Sequence, residues 1–498
     1  MKSFLKNIDK IHTLGQLRES DYRSQGVKSE MRENLMEALK SGQTLFKPIK
    51  GYEDSVIPHL ENAILSRHNI ILLGLRGQAK TRLSRLMVDL LDEYVPVIDQ
   101  SELNDDPFHP LSSFGRDRIQ EAGEDTPISW LHRDERYIEK LATPDVSVAD
   151  LIGDLDPIKA AALRLTYADE RVIHYGLIPR SHRCIFVINE LPDLQPRIQV
   201  ALFNILQEGD IQIRGFRLRL PLDIQFVFTA NPEDYTNRGS IVTPLKDRIG
   251  SQILTHYPRT VEISASITQQ ESKIPADQKN NIHIPPLLLR LIEQVAFEAR
   301  KSEYIDQKSG VSARLTISAL ENLYSAVQRR MLMNNEKSAT ARIADLYGAI
   351  PAITGKVELV YEGELEGIAN VAYMLIGKAI RAEYVNYFPD PERMKKSKQR
   401  NPYADILQWF NEGNELDILH TVSQKKYSEV LSAVKGLKTV MKEYVQDTPE
   451  EDKLFLLEFI LHGLSEYSQI SKRKLDGSMK FSDLVGSIFK MDQESKDE

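Results

Sequence analysis

Three short stretches of this chain combine residue types at spacings that suit phosphate chemistry. The first is Gly74-Leu75-Arg76-Gly77-Gln78-Ala79-Lys80-Thr81. Glycines let a backbone wrap around an anion, and amides ahead of a helix donate to phosphate oxygens. The lysine can reach the outer phosphates, and the hydroxyl after it is an oxygen ligand suited to Mg²⁺. Gly74, Arg76, Gly77, Gln78, Ala79, Lys80 and Thr81 are therefore the candidate nucleotide-binding residues. Ala79 replaces the last glycine of the strict pattern, and a methyl group is tolerable there if the local φ is negative. The second stretch, Ile185-Phe186-Val187-Ile188-Asn189-Glu190, ends an apolar run on two polar residues. Glu190 is the candidate to orient and activate an attacking water. Asn189 stands at the second-sphere metal position normally held by an aspartate. Its amide can bond a metal-bound water but brings no charge, so Thr81 and Asn189 are the candidate Mg²⁺ partners. The third stretch is Thr229-Ala230-Asn231-Pro232, where Asn231 could hold the water or touch the γ-phosphate. Two arginines follow. Arg248, in Pro244–Gly250, could reach a neighbouring subunit's nucleotide, and Arg314, in Ser312–Leu315, could contact phosphate in cis. A single arginine of this kind is more often a surface ion pair, so the weight lies in the order of the set.

These residues need a scaffold that brings them to one edge. Asn69-Ile70-Ile71-Leu72-Leu73-Gly74 is a short apolar run stopped by glycine, as a buried parallel strand would be. Val95–Asp99, Cys184–Glu190 and Ile224–Ala230 read the same way. Amphipathic helices lie between them, one at Arg82–Leu91 and one carrying Ile198, Ala201, Leu202 and Ile205. Strands alternating with helices predict a parallel sheet covered on both faces, with ligands at the carboxyl ends of its strands. Residues 1–50 have a helical period through Met31, Leu35, Met36 and Leu39, and Val56–Leu65 extends it with Pro58 in the first turn. From about Pro285 the chain reads as helical, with Ile317, Leu320, Tyr324 and Val327 on one face. Lys356–Tyr361 is a strand-like interruption. Asp390–Pro402, with Arg393, Lys395, Lys396, Lys398 and Arg400, reads as an exposed linker or loop. Thr448-Pro449-Glu450-Glu451 has the form of a helix start with a capping box, and Asp492–Glu498 reads as a frayed end. No internal repeat stands out.

Length and composition bound the rest. At 498 residues the chain is too long for one ordinary domain; about 150 residues each gives about three. Lys+Arg minus Asp+Glu is 64 − 72 = −8, which argues against a nucleic-acid coat, because phosphate binding needs clustered basic surface. A lone cysteine, Cys184, excludes an internal disulfide framework and a zinc site built from several cysteines. A reducing, cytoplasmic setting is the simplest reading, with Cys184 a buried small hydrophobe. The first residues contain no apolar signal core. The strongest apolar runs, Val371–Ile380 and Leu454–Leu464, are too short to cross a membrane and contain Lys378 and Glu458; they read as buried helix faces. The eleven histidines show no paired ligand spacing, so no metal is expected beyond that of Mg-nucleotide.

The ordered set of motifs resembles the AAA+ ATPases, and within them the MoxR and magnesium-chelatase ATPase-subunit branch. Residues 50–335 carry the resemblance. Phosphate loops of this branch often read G-x-x-G-x-A-K-T, so Ala79 fits it; Asn231-Pro232 and Asp247-Arg248 match its sensor and arginine-finger motifs. Gly51, in Lys50-Gly51-Tyr52-Glu53, sits where the branch keeps its adenine-contacting segment. Lys140–Gly153 resembles the helix-2 insertion, with Gly176–Arg180 completing its return hairpin. Asp210–Gly215 with Leu218–Pro221 resembles the hairpin before the sensor strand. Asn231–Gly239 and the Asn189-Glu190 strand end are shared with bacterial MoxR-like proteins. The resemblance implies an α/β P-loop core at 51–270 with a central parallel sheet. A helical segment at 1–50 would precede it. An all-α lid at 271–335 and a mostly helical region of unknown role at 336–498 would follow. It also implies ATP and Mg²⁺, a homo-oligomeric ring (often a hexamer), and a partner with a von Willebrand A domain. The work implied is metal insertion, cofactor maturation or complex remodelling. Two other readings compete. Asn189 motivates a nucleotide-gated assembly module with little turnover. A sigma-54-type transcription activator would carry a Gly-Ala-Phe-Thr-Gly-Ala loop, which this chain lacks. The ATPase subunit of a magnesium chelatase does not by itself choose the metal or the porphyrin.

Overall fold

A computed structural model describes residues 8–166, 169–213, 219–232, 241–396, 400–475 and 477–484. The chain divides into two compact units, the boundary falling after His256.

The first unit is built on five parallel strands: β1 (Ile70–Leu73), β2 (Tyr137–Leu141), β3 (Cys184–Asn189), β4 (Ile224–Ala230) and β5 (Ser251–Leu254). They lie in the order β5-β1-β4-β3-β2. The register aligns their carboxyl ends. Leu73 lies between Ala230 and Leu254, Ile188 is opposite Phe228, and Asn189 is opposite Leu141. The three inner strands are wholly buried. Their period of two divides them between two cores. Ile70, Leu72, Ile185, Val187 and Val227 pack with Met31, Leu35 and Leu60 of the helices Val27–Lys40 and Val56–Leu65. Ile71, Leu73, Phe186, Ile188 and Phe228 pack with Ile198, Leu202 and Ile205 of the helix Pro196–Glu208. Leu39, expected on the apolar face of its helix, is exposed instead.

Two strand assignments change. Val95–Asp99 does not enter the central sheet: Tyr94–Ile98 forms a separate antiparallel pair with Ile128–His132. An apolar run reports burial and does not say which sheet provides it. The edge place goes to β2, whose last two residues, Lys140 and Leu141, begin the stretch expected to form the helix-2 insertion. Edge strands are only half covered, so Glu139 and Lys140 disguise it; Glu139 is paired at 2.6 Å with Arg85. Of the expected hairpins, Asp210–Gln212 does pair antiparallel with Arg219–Pro221, while residues 214–218 lie outside the described residues. Gly153–Leu155 pairs with Ile173–Tyr175. Gly176 then opens a helical turn, Leu177–Arg180, in place of a return strand. A side chain on Gly176 would put its Cβ 2.5 Å from the Leu151 carbonyl carbon. Of the Asn231–Gly239 stretch, residues 233–239 lie outside the described residues.

The second unit is mostly helical. Its main helices are Pro286–Ala299, Arg314–Asn334, Ile368–Tyr384 and Lys453–Glu466, with a three-stranded antiparallel sheet of Leu416–Leu419, Ser478–Ser482 and Ser471–Leu475. One apolar cluster runs from Ile282 to Phe481, so residues on both sides of position 335 share a core. The runs at 371–380 and 454–464 are buried helix faces, as expected. Lys356–Tyr361 is not a strand. It supplies one bridge, Leu359 to Ile305, and Tyr361 opens the helix Tyr361–Glu366. The basic stretch after Asp390 starts as a helix, Pro391–Lys396, because the Asp390 carboxylate accepts from the Glu392 and Arg393 amides at 2.9 and 3.2 Å; Lys398 lies outside the described residues, as does Asp492–Glu498. Thr448 makes no capping box: its hydroxyl donates back to the Val445 carbonyl at 3.2 Å, and a short 3-10 turn, Glu450–Asp452, precedes the helix. Among the described residues no helix is long and apolar enough to cross a membrane.

Candidate functional site

The loop after β1 turns through two left-handed residues, Gly77 at φ 74° and Ala79 at φ 56°, before the helix Lys80–Leu86 and a 3-10 turn, Met87–Leu90. The condition under which a methyl group sits at Ala79 without cost, a negative φ, is therefore not met. The chain must reverse from loop into helix at that residue, and the left-handed region accomplishes this at a steric cost that glycine would avoid. Gly74 admits no side chain, since a Cβ there would lie 1.9 Å from the Thr255 Oγ1 and 2.1 Å from the Gln78 Oε1. Those two atoms are hydrogen-bonded to each other at 2.7 Å. The Tyr52 hydroxyl is shared between the Gln78 and His256 carbonyls, at 2.9 and 2.8 Å. Gly51, at φ 79°, thus begins a segment that rests on the phosphate loop.

Lys80 is 8% exposed and turns into the loop. Its Nζ donates to the Gly74 carbonyl, to the Leu75 carbonyl at 3.3 Å and to the Asn231 Oδ1 at 2.7 Å. The Asn231 Nδ2 donates in turn to the Glu190 Oε2 at 3.2 Å. One amide therefore joins the lysine of the first motif to the carboxylate of the second. Asn189, beside them on β3, accepts from the Thr81 Oγ1 at 3.5 Å and the Thr229 Oγ1 at 3.2 Å. Glu190 is the first residue past the strand, held left-handed at φ 56° and ψ 51°. Strain of this kind costs on the order of 1–3 kcal/mol and concentrates at functional sites. Arg76 is exposed.

The two arginines fall one in each unit. Arg248, the last residue of the helix Thr243–Arg248, pairs with Asp247 and lies 5.2 Å from the centroid of the Phe203 ring. Arg314 belongs to the second unit, where it is exposed as the first residue of its helix. Sequence reasoning missed Thr229, Thr255 and the Tyr52–His256 contact. A threonine two residues before Asn231, near the end of β4, was the available signal for the first.

Two buried groups behind the site have shifted titration. Burial pushes the Cys184 thiol up to about 12, and burial with the neighbouring Arg183 pulls His182 down to about 4. No cluster of three His, Cys, Asp or Glu residues suited to a metal occurs among the described residues. The side-chain oxygens of Thr81 and Asn189 nevertheless fit Mg²⁺: both are hard ligands and lie 3.5 Å apart. Mg²⁺ keeps several waters and takes few protein ligands when it arrives with phosphates.

A five-stranded parallel sheet with a buried centre thus carries a glycine-containing loop, the Asn189-Glu190 strand end and Asn231 at one edge, an arrangement suited to binding a nucleotide's phosphates. No protein-family model matches the chain. It is 24% identical over 237 residues to the magnesium-chelatase subunit ChlI of Chlorella vulgaris; the match covers 46% of this chain and 62% of that protein, so the chain spans about three fifths of that relative's length. Among solved structures it is similar to an inferred ATPase of Cytophaga hutchinsonii, at 17% identity and a TM-score of 0.30, covering 71% of this chain and 96% of that one. It is also similar to a chain of the magnesium-chelatase BchI–BchD complex, at 18% identity and a TM-score of 0.34, covering 64% and 98%. NtrX of Brucella abortus with ATP follows, at 13% identity and a TM-score of 0.33, covering 58% and 52%. Values this low leave the strand order and site geometry to carry the fold class.

Proposed function

We propose that this chain hydrolyses ATP to ADP and phosphate and, as a homo-oligomeric ring, uses the cycle to remodel a partner protein. The observation that carries the reading is the continuous Lys80–Asn231–Glu190 chain, which links three motifs distant in sequence. Lys80 and the loop amides from Gly74 to Thr81 would hold the phosphates, and Gly51 the base side. Thr81 and Asn189 would hold Mg²⁺, which neutralises phosphate charge when bound. Glu190 would orient a water and take its proton as the water oxygen bonds to the γ-phosphorus and the bridging P–O bond breaks. Asn231 would keep the Glu190 carboxylate in place while Lys80 turns from the loop carbonyls to phosphate. Arg248 would act on a neighbouring subunit's nucleotide and Arg314 in cis. A ring of six, a cytoplasmic setting and a partner with a von Willebrand A domain belong to the same reading. Glu190→Gln should keep ATP binding and lose turnover; undiminished turnover in that variant would remove the proposal. Sedimentation with and without ATP tests the ring.

A second reading has its own observation. The Asn189 Oδ1 already accepts two hydroxyls and carries no charge, so this chain could bind and assemble on ATP with little turnover. Vigorous steady-state hydrolysis by the purified chain excludes it.

A further inference from the structure

Thr229 opens the third stretch read above and was given no role there, yet its hydroxyl meets two residues of the second stretch. It is 1% exposed, on β4 beside the end of β3. Its Oγ1 donates to the Asn189 Oδ1 at 3.2 Å and accepts from the Glu190 amide at 3.1 Å. A hydroxyl has one proton and two lone pairs, so both bonds can coexist and each defines the other's direction. The Glu190 amide needs such a partner. The β3–β4 ladder ends at Ile188 and Phe228, and the chain then turns left-handed at Glu190. A part-buried amide left unpaired there would be costly. The next two residues of the chain also hold the site: the Ala230 carbonyl accepts from the Gly74 amide at 3.2 Å, and Asn231, just past the strand, spans Lys80 and Glu190.

We propose that Thr229 is a positioning residue for hydrolysis. It holds the Glu190 backbone in the strained conformation that presents the carboxylate, and it keeps the Asn189 amide oriented once Thr81 leaves it for a metal. The inference rests on the hydrolytic reading above. It assigns Thr229 no contact with substrate, so its removal lowers kcat and spares KM.

The test compares Thr229→Val, which keeps shape and removes the hydroxyl, with Thr229→Ser, which restores it. Thr229→Val should lose about tenfold in kcat, with KM for ATP within about twofold; Thr229→Ser should recover at least half of wild-type kcat. Hydrogen exchange at the Glu190 amide should accelerate in Thr229→Val and not in Thr229→Ser. Equal kcat in wild type and Thr229→Val overturns the proposal, and so does a loss that serine fails to rescue. Glu190→Gln, run alongside, separates the two failures: if it hydrolyses like wild type, the hydrolytic reading is at fault. If the wild-type chain shows no turnover, the exchange result decides whether Thr229 holds Glu190. Should Thr229→Val not fold, Thr229→Ala removes the same bonds with less demand on packing.

Discussion

Replacing Ala79 with glycine should stabilise the first unit, although glycine inside a helix has the opposite effect. Ala79 sits at φ 56° and ψ 18°, where an L side chain meets the following carbonyl at a cost of about 1–2 kcal/mol. Glycine removes that clash but brings extra freedom to the unfolded chain, worth about 0.5–1 kcal/mol against it. The balance favours the variant by about 0.5–1 kcal/mol, or about 1–4 °C in melting temperature for a unit of this size. The control is Ala63→Gly, inside the helix Val56–Leu65 and buried. There glycine gains nothing sterically and loses about 1 kcal/mol of helix propensity. Urea unfolding without nucleotide reads both. The protein's two tryptophans fall one in each unit, Trp130 and Trp409, so a Trp409→Phe background lets Trp130 report the first unit alone. The opposite signs are the test: if Ala79→Gly destabilises as Ala63→Gly does, the left-handed turn is wrong.

Three further outcomes follow from the same geometry. Glu30 and Arg136 form a buried bidentate pair at 2.7 and 2.6 Å that ties the helix Val27–Lys40 to the turn before β2. Glu30→Ala or Arg136→Met alone should cost about 3–5 kcal/mol in urea unfolding, and Glu30→Leu with Arg136→Met should recover most of it; a double variant no better than the singles would argue against the pairing. Burial and Arg183 lower His182 to about 4, so the fold favours the neutral ring. That contribution is whole above about pH 6.5 and is lost as pH falls toward 4, because the unfolded chain takes the proton first; it amounts to about 3 kcal/mol. His182→Asn, which leaves an acceptor for the Asp223 amide, should flatten the pH dependence of unfolding in that window, and an unchanged slope would count against the assignment. Asn189→Asp should lower the Mg²⁺ concentration for half-maximal turnover several-fold, by adding a charge beside Thr81; a magnesium titration with no shift would show that Asn189 is remote from the metal.

Sequence alone carried much of the site, because the chemistry demands particular residue types at short range. Lys80 and Thr81 must follow a glycine turn, and Asn189 and Glu190 must end a buried strand, so local spacing names them. The inner strands β1, β3 and β4 were legible for a similar reason: buried on both faces, they are continuous apolar runs. The outer strands β2 and β5 were not, since a half-covered strand admits Glu139, Lys140 and Gln252 and loses its signal. For the same reason Val95–Asp99, apolar and buried, was assigned to the wrong sheet. Tertiary structure alone decided the backbone at Ala79, because φ there depends on where the loop must deliver the helix. It also decided the cross-strand bonds of Asn231 and Thr229, whose partners come from 41 and 40 positions away in the chain. Residue type states what a side chain is able to bond, and only the packing of β1, β3 and β4 side by side determines which partner it meets.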